Sequence, residues 1–486
     1  MLRELKNEAN LARTENGGAA YLSSGSDCLD LFAAIGALRG ADEAEIAARF
    51  LRAYAENPDD AMKLLFFARD VRGGLGERRV FRIALNWLSW HEPASLRKNL
   101  PFIGEYGRYD DLLCLLDTPC EPEAIGLIRE QLHLDQEAMK RGESVSLLAK
   151  WLPSVNTSNA QAVRNAKRIA RALNMTDALY RKTLSALRRY LRVLENDLRE
   201  RDYSFDYEAV PSRALFKYRA AFSRNDPVRY HGFLQKVQEG KAVLHTGALT
   251  PYDLVVQALK REISPEERKS LSTCWDHLED TTNGENALAV VDTSGSMYWE
   301  LQQPLPASIA ISLGLYFAER NRGAFHNHFI SFSEHPRLIE IKGRDLVDKV
   351  RYISSQSEVA NTDLSKVFQL LLDTAVKNHL PQSELPTRLY IISDMEFDAC
   401  AEGADVTNFA HARKQFSKHG YQLPQVVFWN VASRHRQQPV TKNEQGVALV
   451  SGFTPKLFCM IQGGDGTPEA LMLQVLHSPR YEKISA

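Results

Sequence analysis

The sequence predicts two architectures in one chain: a long array of α-helices, followed by an α/β domain with a mostly parallel, doubly wound sheet. Three observations point there. Apolar residues recur every three to four positions from about residue 27 to 275, the period of a helix with one buried stripe. From about residue 284, continuous apolar runs of strand length alternate with helical patterns, as in sheets covered on both faces. The first of those runs ends abruptly in the polar turn of AVVDTSGSMYWE, from Ala289 to Glu300.

The opening segment, 1–26, is polar and charged and lacks the apolar core of a signal peptide. The helical region, 27–275, carries DCLDLFAAIGALRG, AEIAARFLRAYAE, VFRIALNWLSW and TLSALRRYLRVLENDL, separated by short turns such as NPDD and RGGLGE. At roughly 40 residues per helix pair there is room for about six pairs of a repeat array. RGGLGERR lacks the G-K-[ST] of a phosphate loop; Gly73, Gly74 and Gly76 are expected to permit positive φ in a tight turn.

In the α/β region, 284–480, NALAVVDTSGSM reads as a strand and PASIAISLGLYFAER as a helix. FHNHFISFSEHPRLIEI gives two short strands, and TDLSKVFQLLLDTAVKN a helix. TRLYIISDMEF and QVVFWNVA are strands separated by the helix HARKQFSKHG. His326 and His328 alternate on a strand, share one face and read as ordinary strand residues.

Composition narrows the class. The 486 residues are 44% hydrophobic and 25% charged, with a net charge of −1, ordinary for a globular protein of two or three domains. No global field draws the chain to nucleic acid, so any basic surface is local. Cys28, Cys114, Cys120, Cys274, Cys400 and Cys459 form no C-x-x-C pair and read as reduced thiols of a cytoplasmic protein. No run approaches the ~20 apolar residues of a membrane span.

Ligands of doubly wound sheets bind beyond the C-terminal strand ends, where three loops are expected to meet. They supply Asp292, Ser294 and Ser296, then Thr362 before a helix, then Asp394. Two carboxylates and three hydroxyls, with no His or Cys, suit Mg²⁺ or another hard divalent cation. Other readings of DTSGS remain: a helix cap, or a serine nucleophile, although the G-x-S-x-G elbow is missing.

These five residues resemble the metal-ion-dependent adhesion site of von Willebrand factor A domains, a Rossmann-like fold, in order, separation and strand context. The resemblance implies that Ser294, Ser296 and Thr362 bind the metal directly and that Asp292 and Asp394 act largely through water. It also implies one coordination position open to a carboxylate of a protein partner.

The helical half also resembles a family. TENGGAAYLSSGSDCLDLFAAIGALRG, LLFFARDVRGGLGERRVFRIALNWL, YGRYDDLL, SLLAKWLPS and VPSRALFKYRAAFSRND are similar to an uncharacterised family of plants, fungi, viruses and bacteria, as are IISDMEFDA and VVFWNVA. That family is distantly similar to the TROVE module of Ro-type proteins. The resemblance implies HEAT-like repeats forming a ring closed by the A domain. It also implies binding of small non-coding or misfolded RNA, structured or with single-stranded ends.

The residues carry their own hint of RNA. From Ala149 to Arg192 there are ten basic residues and one acid, Asp177. The ten are Lys150, Arg164, Lys167, Arg168, Arg171, Arg181, Lys182, Arg188, Arg189 and Arg192. On the first helix Val163, Ala166, Ala170 and Leu173 line one face, and Arg164, Lys167, Arg168 and Arg171 another, roughly 130° away. The next helix repeats the relation 21 positions later, with Leu184, Leu187, Leu191 and Leu194 set against Arg188, Arg189 and Arg192. Stacked, they would form a ridge for phosphates. The plainer reading is a solvated face balanced by Glu195, Asp197 and Glu200.

The expectation is therefore a non-catalytic RNA-binding protein of Ro type with a Mg²⁺-holding A domain. A protein-interaction scaffold working through the metal site is the alternative. A hydrolase is the third reading, and no His lies near either Ser in sequence to serve as base.

Overall fold

A computed structural model describes residues 1, 8–282, 284–298, 304–332, 335–356, 363–399, 406–461 and 466–486. It divides into two units. One comprises residues 1–57 and 234–480, the other 58–233 and 481–486.

The first unit is built on a six-stranded sheet. Its strands are β3 (Ala287–Asp292), β4 (His328–Phe332), β5 (Arg337–Glu340), β6 (Arg388–Ser393), β7 (Gln425–Asn430) and β8 (Val447–Ser451), in the spatial order β5-β4-β3-β6-β7-β8. All pairs are parallel except β4 with the edge strand β5. Every residue of β3 and of β6 is buried, which explains their continuous apolar sequences: helices cover both faces. One of these helices, Pro306–Arg320, buries thirteen residues, from Pro306 to Ala318. Its Gly314 is required by close packing, because a Cβ there would lie 2.3 Å from Val291 Cγ2.

Chain segments from both ends of the helical region join this unit. The N-terminal residues form a hairpin of β1 (Leu11–Arg13) and β2 (Ala19–Tyr21), turned at Gly17 with φ 85°. The hairpin bridges onward from Gly17 to Asp398 and from Tyr21 to Gln438. Helices α1 (Asp27–Phe32) and α2 (Glu43–Glu56) follow, and Gly36 N donates to Ser451 Oγ at 3.0 Å. In the helix Pro265–Asp276, Arg268 pairs with Asp345 and Asp348, and Trp275 Nε1 donates to Glu319 Oε2 at 2.6 Å.

The second unit is helical. Its principal elements are α3 (Pro58–Arg69), α4 (Arg79–His91), α5 (Pro93–Asn99), α6 (Ile103–Tyr106), α7 (Glu121–Arg141), α8 (Leu148–Trp151), α9 (Ala160–Ala172), α10 (Asp177–Tyr190), α11 (Leu194–Glu200) and α12 (Ser212–Asn225). α9 is N-capped by Asn159 and α10 by Thr176, each side chain accepting a backbone N–H of the first turn. α7 ends at Gly142 in the left-handed region, φ 74°.

Near α3 and α4 the core combines Phe66, Phe81 and Tyr106 with Tyr481, which the last residues of the chain bring in. A buried ion pair, Arg69 Nε to Asp111 Oδ2 at 2.7 Å, sits beside them, and Arg82 Nε reaches the other carboxylate oxygen at 2.7 Å. In the turn before α4 only Gly76 has positive φ, 71°. Gly74 is there for space, since a Cβ would fall 2.0 Å from Phe67 O, and nothing places Gly73 in the left-handed region. Among the described residues no helix is long and apolar enough to cross a membrane.

Candidate metal centre and nucleic-acid interface

The sheet order makes the gap between β3 and β6 a switch point: the chain runs from β3 to β4 on one side and later returns to β6 on the other. β3 and β6 run parallel in a register that pairs Val291 with Ile392. Asp292 therefore emerges beside Ser393 and Asp394 at one edge.

Asp292 is fully buried. Its Oδ1 accepts Ser294 N–H at 2.9 Å and its Oδ2 accepts Ser393 Oγ–H at 2.6 Å. Ser294 Oγ and Ser296 Oγ lie 3.1 Å apart in the turn that follows. Burial, and then the neighbouring charge of Asp394, push the Asp292 carboxyl up to about 7. Asp394 is also buried; its Oδ1 accepts Glu396 N–H at 3.2 Å and its Oδ2 accepts Arg434 Nη2 at 2.8 Å. Between them Met395 holds φ at 69°, with its N–H on Ser393 Oγ. A non-glycine residue in that region costs about 1 kcal/mol, and here it turns the loop back over the strand ends.

Four of the five expected ligands thus gather at one place, and Thr362 lies outside the described residues. The donor set fits a hard cation. It is all oxygen, and it sets two buried carboxylates against one guanidinium, leaving negative charge that burial penalises. Ser294 Oγ meets Ser296 Oγ and the Asp292 carboxylate, and among the described residues no imidazole addresses it. Asp363 caps the following helix (Leu364–Lys377), accepting the Ser365 N–H at 3.0 Å.

The sequence reading missed two participants, Arg434 and Glu15. Arg434 Nη1 lies 2.9 Å from Glu15 Oε2, and Glu15 N donates to Glu396 Oε2 at 2.7 Å. Thr14 Oγ1 donates to Phe397 O at 2.5 Å and Asn16 Nδ2 to Glu396 O at 2.7 Å. The N-terminal turn is thereby tied to the loop that carries Asp394. Glu15, Glu396 and His435 bring ligand-type atoms within 4.8 Å of one another at its fringe. The strand-end rule would have found Arg434, which follows β7 at the same edge. Nothing in the N-terminal segment signalled Glu15.

The ten basic residues separate into three groups. Arg188 turns inward: its Nε donates to Ala149 O at 2.8 Å, Nη1 to Ser154 Oγ at 2.7 Å and Nη2 to Leu152 O at 2.7 Å. It ties α10 to α8 and the segment that follows it, so the 21-residue correspondence with exposed Lys167 ends there. Lys150 is half-buried over the Trp151 ring, which Arg108 also covers at 3.7 Å.

A second group, exposed except for the half-buried Arg168, is partnered. Arg168 bonds Glu121 Oε1 at 2.6 Å and also pairs with Asp117. Lys167 lies 3.9 Å from Asp177, Arg164 bonds Gln161 Oε1 at 3.1 Å, and Arg192 faces Asp197.

The third group is Arg171, Arg181, Lys182 and Arg189. Their side chains are exposed, with no hydrogen bond or ion pair to any described residue. On α10, Lys182 and Arg189 stand opposite the buried face of Tyr180, Thr183, Leu184 and Leu187. Of the acids expected to balance this surface, Glu195 takes Tyr218 Oη at 3.2 Å and Glu200 takes Arg199 at 3.1 Å.

The family described as Domain of unknown function (DUF2828) matches residues 14–119 and 124–292, more than half of the chain. The chain belongs to this family. A second description, Domain of unknown function (DUF7788), matches residues 286–474 and so spans the sheet. This DUF2828 protein is 31% identical over 510 residues to "Uncharacterized protein L728" of Acanthamoeba polyphaga mimivirus, covering 96% of this chain and 87% of that one. Among solved structures, the Deinococcus radiodurans Ro (RSR) protein aligns with 93% of this chain and 99% of its own, at 14% identity and a TM-score of 0.39.

Proposed function

We propose that this DUF2828 protein is a non-catalytic RNA-binding protein that holds the RNA backbone on the exposed basic side chains of α9 and α10. One observation carries the reading. In a chain of net charge −1, Arg171, Arg181, Lys182 and Arg189 stand exposed without an acidic partner among the described residues. Unpaired surface cations release counterions on meeting phosphates, and the affinity then falls steeply with salt. The resemblance to Ro-type proteins supports the same class of ligand, small structured RNA or RNA with a single-stranded end. An anisotropy titration of both RNA types tests the reading, comparing the wild type with the double variant Lys182→Glu/Arg189→Glu.

The sheet edge is proposed to hold Mg²⁺ or a similar divalent cation directly on Ser294 and Ser296, with Asp292 and Asp394 acting largely through water; Thr362, the third direct ligand in this reading, lies outside the described residues. Two buried carboxylates facing a single guanidinium support this. A second reading, a scaffold that takes a partner's carboxylate at that cation, rests on the same charge arrangement. It predicts a protein partner retained only with Mg²⁺ and released in Asp292→Ala, and Mg²⁺-independent retention contradicts it.

A further inference from the structure

A second set of ligand-type side chains lies beside the Asp292–Asp394 edge and differs from it in chemistry. Three chain segments supply it: Glu15 from the N-terminal turn, Glu396 from the loop after β6, and His435 from the loop after β7. One carboxylate oxygen of each glutamate and one ring nitrogen of the histidine lie within 4.8 Å of one another. His435 Nε2 is 3.8 Å from Glu15 Oε2, and the imidazole makes no hydrogen bond with any described residue.

The three side chains differ in access. Glu396 is only 4% exposed, and its Oε2 accepts Glu15 N–H at 2.7 Å, which holds the carboxylate toward the turn. Glu15 and His435 are exposed, so an ion can reach the set from solvent and meet a carboxylate that is already fixed in place.

The charges around the set favour a cation. Asp394 and Arg434 are the other charged side chains acting on Glu396. Arg434 serves two carboxylates at once, Asp394 Oδ2 at 2.8 Å and Glu15 Oε2 at 2.9 Å. Among these described groups one guanidinium thus faces the three carboxylates of Glu15, Asp394 and Glu396, and burial penalises the uncompensated charge.

The donor set selects the kind of ion. The all-oxygen edge at Ser294 and Ser296 suits Mg²⁺, whereas a ring nitrogen beside two carboxylates favours Zn²⁺ and its transition-metal neighbours. Three protein ligands with a fourth position left to water is a recurrent zinc arrangement. Zinc bonds of about 2.0–2.2 Å place tetrahedral ligand atoms roughly 3.4 Å apart, so the set closes by about 1 Å around the ion. Rotation of the exposed Glu15 and His435 side chains supplies that movement. A guanidinium on a ligating carboxylate, as Arg434 is on Glu15, is an ordinary supporting contact.

We infer that Glu15, Glu396 and His435 form a second cation site, for Zn²⁺ or a similar transition-metal ion, which clamps the N-terminal turn to the loops after β6 and β7. Glu15 and Glu396 are 381 positions apart in sequence, so an ion held by both binds the folded chain alone and stabilises it. The site uses none of the five residues assigned to Mg²⁺.

The test titrates Co²⁺, a visible-absorbing stand-in for Zn²⁺, into the full chain with millimolar Mg²⁺ present. The wild type is expected to bind one Co²⁺ with a visible band that Zn²⁺ displaces, and Zn²⁺ is expected to raise the melting temperature. His435→Ala and Glu15→Gln should each weaken Co²⁺ binding more than about tenfold, and Asp292→Ala should keep the band. His435 is exposed, so His435→Ala should melt with the wild type in EDTA. If Co²⁺ binding survives His435→Ala but is lost in Asp292→Ala, the ion sits at the sheet edge; the second site is overturned and the Mg²⁺ reading stands. A wild type that binds no Co²⁺, with a His435 ring that only titrates against Glu15 in NMR spectra, reduces the set to an ion pair and also overturns it.

Discussion

Arg434 Nη2 donates to Asp394 Oδ2 at 2.8 Å, with the side chains 14% and 1% exposed. A guanidinium therefore already neutralises one of the two carboxylates that converge at the sheet edge, whereas among the described residues Asp292 has hydrogen bonds alone. That asymmetry sets the first expectations.

Arg434→Gln removes the only guanidinium on Asp394 among the described residues and leaves its charge buried. The expected cost without divalent cations is about 3 kcal/mol. Millimolar Mg²⁺ should then restore more stability to the variant than it adds to the wild type, because more negative charge faces the ion. Thermal melts with EDTA and with Mg²⁺ measure both. Equal Mg²⁺ increments would show that Arg434 and the ion do not share a field.

Binding of a cation to the folded state alone raises the melting temperature with concentration. The wild type should show this rise. Asp292→Ala and Ser294→Ala should lose it while remaining folded. A cation-dependent shift that survives Asp292→Ala would place the ion elsewhere.

Gly18 lies where the N-terminal turn meets the Asp394 loop, and a Cβ there would fall 2.4 Å from Phe397 O and 2.7 Å from Asp398 O. Both obstacles are backbone. Gly18→Val should therefore destabilise by about 2 kcal/mol and weaken the Mg²⁺-dependent shift, because Glu15 and Arg434 move with the turn. A variant with wild-type stability would show that the turn does not hold this position.

Glu45 accepts from Arg436 Nε at 2.9 Å and from Arg49 Nε at 2.7 Å. The Arg436 hydrogen bond foremost, and then Arg49 against the opposing effect of burial, lower its pKa to about 2. A folded pKa below the unfolded value of about 4.3 means that the contribution is fully present above pH ~4.3. It is lost as pH falls through about 2. The side chain is 26% exposed, so solvent screening reduces the worth of the pair to about 1 kcal/mol. Glu45→Gln should lower the urea midpoint at pH 7 and converge on the wild type as pH approaches 2. A constant difference across that range would contradict the assignment.

Asp111→Ala strips the buried Arg69 of its carboxylate, and Arg69 is only 2% exposed. Loss of a buried partner costs about 3 to 5 kcal/mol, so the helical unit should melt well below the wild type in calorimetry.

The sheet and its edge were legible because their signals are local. β3 and β6 are runs buried on both faces; β3 ends in Asp292 and Asp394 directly follows β6, so the sequence alone pairs the two acids. Arg434 was hidden by treating the edge as two strand ends rather than three. Glu15 was invisible because its role depends on a hairpin that reaches across about 380 residues of sequence to Glu396, which no periodicity encodes.

The basic helices show the reverse failure. Pattern placed Arg188 with Lys167, yet Arg188 lies one residue beyond buried Leu187, within reach of the carbonyls of Ala149 and Leu152. A flank position can solvate a guanidinium with backbone oxygens as readily as with water. Sequence spacing could not separate such an internal tie from the exposed Lys182 and Arg189.

The proposed contact between RNA phosphates and α9 and α10 is read out by the salt dependence of RNA affinity for the wild type and Lys182→Glu/Arg189→Glu. The prediction is a linear fall of log K with log salt concentration, more than tenfold weaker binding in the double variant, and a slope shallower by about two. No binding by the wild type at about 50 mM salt, or identical slopes and affinities for both proteins, would contradict it.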